Sequence, residues 1–428
     1  MSHSLSRRGF LQGFAAAGAV ATLGTPVARA RAGPNERLKI GVIGTAGRAL
    51  DNIGGVQGEE IVALCDIDDL LLGKASERFP RAKTYADFRE LIEAGGLDAV
   101  VVSTADHTHA PAAAMALRMG VHVYCEKPLS HSVHEARVLA RLAQEAKVAT
   151  QLGTQIHAGE NYRRVVELIR AGAIGPVREC HVWCGKSWSG GERPTDTPPV
   201  PKALHWGLWL GPAPQRPYHP DYLPANWRRW WDFGGGTLGD MACHYMDLPF
   251  WALDLRHPTS VASEGPPPHP ETTPAWMIVR YEFPARGDQP ATTLAWYDGG
   301  KRPAILAEKS LPDWGDGVLF VGDKGMLLAD YNRRVLLPED QFRDFKAPEP
   351  TIPNSIGHHA EWIAACKDGG KTTCHFSYSG ALTEAVLLGN VAYRVGRKLD
   401  WDAEALKARD CPEADKFLRR EYRKGWTL

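Results

Sequence analysis

The stretch from Leu38 to Asp66 constrains the fold of this chain more than any other. Leu38-Lys39-Ile40-Gly41-Val42-Ile43 is a short apolar run, and Gly44-Thr45-Ala46-Gly47-Arg48-Ala49 follows it as a glycine turn. The pattern predicts a helix from that turn through Val56, then a second strand, Ile61-Val62-Ala63-Leu64-Cys65, ending at Asp66. Strand, glycine turn, helix, strand and acid in that order form a Rossmann unit. Its glycines let a pyrophosphate approach backbone N–H groups at a helix N-terminus, and its acid accepts from ribose hydroxyls. Asp66 lies 22 residues after Gly44, the separation such a unit needs. Ala46 and Ala49 stand where the second and third glycines would be, so the turn alone is weak evidence.

The continuation strengthens it. Thr84 with Asp87 reads as a capping-box start to a helix. Asp98-Ala99-Val100-Val101-Val102-Ser103 reads as a buried strand, followed by the turn Thr104 to Pro111 into a helix. The strand Val121 to Cys125 then ends in Glu126-Lys127-Pro128. Repeated βα units predict an α/β fold with a doubly wound parallel sheet. Beyond the strand at 148–152, strand-like runs at 177–183, 276–283 and 318–321 predict an α+β domain with a large, mostly antiparallel sheet. Exposed apolar faces on that sheet would imply a dimer or tetramer. The stretch 357–399 reads as largely helical and structural, and the charged tail from Asp400 as a solvated helix or arm.

At the N-terminus, Ser6-Arg7-Arg8-Gly9-Phe10-Leu11 precedes a mildly apolar stretch and Ala28-Arg29-Ala30. This resembles a bacterial twin-arginine (Tat) export signal. The expected division is therefore a signal at 1–30, a dinucleotide-binding domain at 31–155 and a substrate-binding, oligomerising domain at 156–428, outside the cytoplasm. No segment approaches the ~20 apolar residues of a membrane span. Lys+Arg 50 against Asp+Glu 50 leaves no net charge and so no basic field for nucleic acid. The eight cysteines are scattered without a CxxC, which predicts neither zinc nor a disulfide framework. His358-His359 and His107-x-His109 lack a third ligand at sensible spacing, so no metal is expected.

Gly44-Thr45-Ala46-Gly47-Arg48, Cys65-Asp66-Ile67-Asp68, Ala105-Asp106-His107-Thr108-His109 and Glu126-Lys127-Pro128-Leu129 occur in the order and spacing seen in the Gfo/Idh/MocA oxidoreductases, which this chain resembles from about Leu38 onward. The resemblance implies a nicotinamide cofactor, a lysine at the reacting centre (Lys127) and a cis peptide before Pro128. Asp66, with no Arg following in the turn, favours NAD over NADP. Expected cofactor contacts are Gly44, Thr45, Ala46, Gly47, Arg48, Asp66, Ser103, His107, Glu126, Lys127 and Gln155.

Asp240 and His244, at i and i+4 after the run Gly234-Gly235-Gly236, share one helix face. In the resembling family such a pair stands beside the EKP lysine. Oxidation of a secondary alcohol requires loss of its hydroxyl proton, which suits a neutral imidazole. His244 is therefore the expected general base, Lys127 the polariser of the substrate oxygen, and Asp240 the group orienting both. Trp206, Trp209, Trp227, Trp230 and Trp231 fall within 26 residues just before this helix and predict a stacking platform for a sugar, with Arg228, His157 and Tyr162 lining the pocket. Three functions stay open. One is hydride transfer between a sugar hydroxyl and tightly bound NAD. The second is NAD-retaining glycoside hydrolysis through transient oxidation and elimination, with Tyr162, His157 or Tyr245 as the extra base. The third is non-catalytic binding of sugar or NAD.

Overall fold

The computed structural model describes residues 36–428; the arginine pair and apolar stretch of the export signal lie outside the described residues. Six strands form the first sheet: β1 (Lys39–Ile43), β2 (Glu60–Cys65), β3 (Lys83–Tyr85), β4 (Ala99–Val102), β5 (His122–Cys125) and β6 (Thr150–Leu152). Every pairing is parallel, in the spatial order β3-β2-β1-β4-β5-β6. The crossovers are α1 (Ala49–Val56), α2 (Asp69–Arg78), α3 (Phe88–Glu93), α4 (Asp106–Arg118) and α5 (Val133–Ala146). Covered on both faces, β4 and β5 are buried at every residue, which is why their sequences are continuous runs rather than alternating ones.

The strand order reverses between β1 and β4, and a crevice opens at their carboxyl ends, where ligands of doubly wound sheets bind. Gly44 and Ser103 close the two strands there and nearly touch. A Cβ on Gly44 would stand 2.6 Å from the Ser103 carbonyl, and its φ of +88° disfavours any other residue. The helix start expected from Thr84 is corrected. Thr84 lies inside β3, and Asp87 alone caps α3, accepting from the Arg89 N–H at 2.9 Å.

The second sheet has nine strands: β7 (Val177–Trp183), β8 (Ser260–Glu264), β9 (Ile278–Phe283), β10 (Thr292–Tyr297), β11 (Gly317–Gly322), β12 (Gly325–Ala329), β13 (Arg334–Leu337), β14 (Leu399–Asp402) and β15 (Lys407–Arg409). Their order is β13-β12-β11-β7-β10-β9-β8-β14-β15, antiparallel throughout except for β7 against β10. On β9, Val279, Tyr281 and Phe283 point inward while Arg280 and Glu282 face water. Trp183, Tyr297 and Leu319 on the central strands are covered by Leu306, Ile305, Leu311 and Trp314 of the chain's own connecting segment. That part of the sheet face is thus not the exposed apolar surface on which the expectation of an oligomer rested.

The second half does not stand apart from the first. Helices α6 (Glu160–Arg170) and α7 (Gly236–Tyr245) lead to α8 (His358–Asp368) and α9 (Phe376–Val395), and α9 packs on α5, α7 and β8. The Leu152 N–H donates to the Cys374 carbonyl at 3.1 Å, and the Thr372 hydroxyl donates to the Thr150 carbonyl at 2.8 Å. The tail from Asp400 is likewise not a solvated arm. Its first residues form β14 and β15 at the sheet edge, and Arg420 donates to the buried carboxylate of Glu135 at 2.7 Å. That partner lies 285 residues away, so charge pattern within the tail could not reveal it. All eight cysteines are buried with free thiols. Among the described residues no helix is long and apolar enough to cross a membrane.

Candidate active site

The glycine turn delivers three backbone donors. Ala46, Gly47 and Arg48 precede α1, and none of their N–H groups has an acceptor within the described chain. Thr45 faces the other way. Its N–H and hydroxyl both donate to Asp66 Oδ2 at 2.8 Å, while the Asp68 N–H donates to Oδ1 at 3.1 Å. These bonds fix Asp66 at the end of β2. They also leave lone pairs on both oxygens for further donors. Asp66 caps nothing; Asp68 caps α2, accepting from the N–H groups of Leu70 and Leu71. Burial pushes the Asp66 carboxyl up, opposed by the Thr45 and Asp68 bonds.

A cavity of about 380 Å³ runs past this turn. Gly44 to Arg48, Asp66, Ser103 and His107 line one wall, and Leu208, Trp209, Trp227 and Arg228 face them. Free amides at a helix N-terminus, an acid at the end of β2 and the cavity joining them fit a dinucleotide, with the amides toward its pyrophosphate and Asp66 toward a ribose. Three expected contacts, Glu126, Lys127 and Gln155, are not on the cavity wall, and Glu126 and Gln155 sit beneath it. Glu126 is buried and accepts from Gln155 Nε2 at 2.8 Å and from Asn52 Nδ2 at 2.9 Å. Asn52 also donates to the Ser103 hydroxyl at 2.9 Å. Asn52 was not singled out in the sequence, yet a polar residue on the buried stripe Ala49, Asn52, Ile53, Val56 is a usable signal.

Lys127 follows β5, and its peptide bond to Pro128 is cis. Its ammonium donates to both the backbone carbonyl and Oδ1 of Asp240, each at 2.7 Å. Arg228 Nε donates to the same Oδ1 at 3.0 Å, and Trp188 Nε1 donates to Oδ2 at 2.7 Å. The glycine run before α7 makes this possible: a Cβ on Gly234 would come within 2.6 Å of the Arg228 Cα. Burial opposes ionisation of Asp240, but Lys127 and Arg228 outweigh it and hold the carboxyl well below the usual range. One turn on, burial and the Lys127 charge push the half-buried His244 imidazole well below its ordinary value, so the ring is neutral. Asp106, at the head of α4, is a buried carboxyl pushed up to about 7 by burial against the pull of Arg228 and Lys127. Neither Trp188 nor Asp106 was anticipated, because their roles depend on segments far apart in the chain.

The structure thus brings Lys127, Asp240, His244 and Arg228 together, and Arg228 links them to the cavity it lines. It does not gather the remaining substrate candidates. Tyr162 is fully buried, its hydroxyl donating to the His244 carbonyl at 3.2 Å. His157 is 1% exposed, bonded through Nδ1 to Asp247 at 2.8 Å and stacked on Trp251. Ligand atoms of His157, Asp247 and Cys374 lie within 4.8 Å of one another in this interior; the first two are spent on each other and on the Tyr378 hydroxyl. The tryptophan platform is corrected as well. Trp206 stacks on Trp209 at 4.7 Å, and Trp230 is 1% exposed against Tyr222. Trp231 donates to the His269 carbonyl at 3.0 Å within the main core. Trp209 and Trp227 line the same cavity as the glycine turn. Large flat side chains lower their free energy most by mutual burial.

Comparison with known proteins agrees with this geometry. Residues 38–154 match the oxidoreductase family's NAD-binding Rossmann fold, and residues 177–291 match the same family's C-terminal alpha/beta domain. An inositol 2-dehydrogenase of Rubrobacter xylanophilus is 32% identical over 148 residues, 33% of this chain and 42% of that protein. The match therefore spans less than half of that relative's length. A glycosyl hydrolase family 109 protein of Stenotrophomonas maltophilia is 27% identical over 411 residues, covering 86% of this chain and 84% of that one. The WlbA dehydrogenase from Chromobactrium violaceum, solved with NADH and UDP-GlcNAcA, superposes with a TM-score of 0.61 at 15% identity, over 87% of this chain and 99% of that one. With the two family matches together spanning more than half of the sequence, the chain belongs to the Gfo/Idh/MocA oxidoreductase family.

Proposed function

We propose that the chain oxidises or reduces a secondary hydroxyl carbon of a sugar or sugar derivative, with NAD as its cofactor. The observation that carries this is the Lys127–Asp240 ion pair set beside a neutral His244 and joined by Arg228 to the dinucleotide cavity. When bound there, NAD supplies the acceptor for the hydride of the substrate carbinol. His244 accepts the hydroxyl proton; being neutral, it has the lone pair this needs. Lys127 donates a hydrogen bond to the substrate oxygen and stabilises the charge that grows there. Asp240, ionised and held by three donors, fixes the ammonium's direction and so orients the substrate.

Glycoside hydrolysis through transient oxidation is the second reading, favoured by the glycosyl hydrolase family 109 relative matching most of both chains. Elimination needs a further base for the carbon-bound proton next to the new carbonyl. Tyr162 and His157 are sealed in the interior, and the Tyr245 hydroxyl is bonded to Asp316 at 3.3 Å beneath a stacked Tyr331. None of these three is free for that role. The arginine pair near the N-terminus supports export, and an exported enzyme of this kind would keep its NAD through the catalytic cycle.

The test is to denature the purified protein, measure NAD released per chain, and offer the intact protein sugars and chromogenic glycosides without added cofactor. Sugar oxidation with added NAD, or without it when a second sugar takes the hydride back from the bound cofactor, supports the first reading if Lys127→Ala abolishes it. Cofactor-independent glycoside cleavage replaces it with the second.

A further inference from the structure

The last residues of the chain run back across the first half. Arg420 and Tyr422 both donate to Glu135 Oε1, at 2.7 and 2.6 Å. The other oxygen of that buried carboxylate closes the capping box of α5, accepting from the N–H groups of His131 and Ser132 at 3.0 and 2.9 Å. One helix-capping glutamate therefore also anchors the tail. Arg420 further donates to the carbonyl of His107, a cavity-lining residue. Arg423 ties the next turn to the segment that follows Trp209 of the opposite wall: its N–H donates to Pro212 and its Nε to Gly211, both at 3.0 Å. Beyond it, Arg89 donates to the Gly425 carbonyl at 3.0 Å, and Arg118 donates to the Leu428 carbonyl at 2.9 Å.

These ties present Trp426 to the dinucleotide cavity. Its ring packs on Phe88 with centroids 5.8 Å apart and lies under the Arg89 guanidinium at 4.2 Å. With Asp87 and Phe88 it forms the wall at the end where Asp66 stands, and it remains half-buried. The acid that accepts from the ribose marks this as the adenosine end. A flat aromatic here, tilted by 52° against Phe88, covered by the Arg89 guanidinium and lining the cavity, can contact a nucleobase at little entropic cost.

We infer that residues 419–428 are a strap across the adenosine end of the NAD cavity, with Trp426 the contact that slows cofactor release. The inference rests on the reading that this cavity holds NAD. It goes beyond that reading in making retention a property of a segment remote from the glycine turn. The ties to Gly211 and Pro212 link strap opening to the 207–215 segment, so the two move together when cofactor leaves.

The test loads the full chain with NADH and follows loss of NADH fluorescence after a chase with excess NAD⁺. Trp426→Ala and a variant lacking residues 425–428 are expected to release NADH roughly tenfold faster, the loss of about one good aromatic contact. Trp426→Phe is expected to restore most of the slow release, and thermal melting of the cofactor-free proteins to stay within a few degrees. Equal release from the unaltered chain, Trp426→Ala and the shortened chain overturns the strap while leaving the NAD reading intact. Failure of the unaltered chain to bind NADH overturns both.

Discussion

Across the cavity from the glycine turn stands the wall made by Leu208, Trp209, Leu223, Trp227 and Arg228, and the two walls differ in what holds them. The turn is held by backbone: Gly44 at φ +88°, its N–H donating to the Cys65 carbonyl at 2.8 Å, and the Thr45 donors locked to Asp66. The facing wall is held by side chains, a stack of Trp206, Trp209, Tyr222, Trp230 and Phe233 that is almost wholly buried. A backbone wall presents donors whose positions follow from consecutive residues. A side-chain wall presents surfaces whose positions follow from contacts among distant ones. The first suits recognition of a fixed pyrophosphate; the second suits rigid support for Arg228 and α7.

The comparison breaks if chemistry depends on the aromatic wall more than on Lys127. Lys127→Ala removes the ammonium hydrogen-bonded to Asp240 and leaves the Lys186 ammonium 4.0 Å from Oδ2, and turnover is expected to fall by roughly a thousandfold or more, in line with loss of a positioned proton partner and its charge. NADH release should not change, since Lys127 is not among the cavity-lining residues. Steady-state rates and the NADH chase measure the two effects separately. Activity within a few fold of the unaltered protein removes Lys127 from the reacting centre.

Trp230→Ala sharpens it from the other side. The side chain is 1% exposed, so its loss should cost about 3–5 kcal/mol of stability. Denaturant unfolding measures this directly. A sugar platform would instead raise KM and leave unfolding almost unchanged.

Acid stability separates the same two kinds of structure. Burial lowers His107 and His358 to about 3 and His109, His359 and His375 to about 4. In the unfolded chain these groups bind protons near pH 6.5, so their contribution is present above that value and is lost as pH falls toward 4. Asp106 and Asp298, raised to about 7, act in the opposite sense, favouring the folded state as pH falls from 7 toward 3.8. Five histidines outweigh two carboxyls, so the melting temperature should drop between pH 6.5 and 4. An unchanged melting temperature over that interval would show that these rings are protonated in the folded protein.

What the sequence made legible follows the same division. β1, β2, β4, β5 and β6, the Gly44 turn, Asp66, and the pair Asp240 and His244 on one helix face are all set by neighbours within a few residues, and each lies where its local pattern puts it; β3 is the exception, its Thr84 carrying a helix-start pattern. Lys127 joins Asp240 across 113 residues and was reached through family resemblance, not periodicity. Trp188 and Trp426 have no such route, and Asp106 stands in a motif of the resemblance that leaves its burial and charge neighbours unstated. A tryptophan has the same local signature in a core, on a cavity wall or against a carboxylate. Only tertiary contact decides among them, and clustering within 26 residues was therefore read as a platform when it marked a packed stack.

Trp188 offers the finest test, because it is the one tryptophan whose indole N–H meets a charged group of the site. That N–H donates to Asp240 Oδ2 at 2.7 Å, while Lys127 and Arg228 occupy Oδ1. Trp188→Phe removes the donor and keeps a ring beneath Arg228, whose guanidinium lies 5.4 Å from the indole. Asp240 Oδ2 then keeps only the Lys186 ion pair at 4.0 Å, and the Lys127 ammonium loses direction without losing charge. The expected result is a fall in kcat of roughly tenfold, the size of one hydrogen bond to a charged group at its weaker end. Trp206→Phe, which deletes only a bond to the Arg216 carbonyl inside the stack, should leave kcat unchanged. If both variants lose activity equally, the loss comes from loosening the whole wall. If only Trp188→Phe does, one indole N–H aims the lysine while the buried tryptophans hold the wall in place.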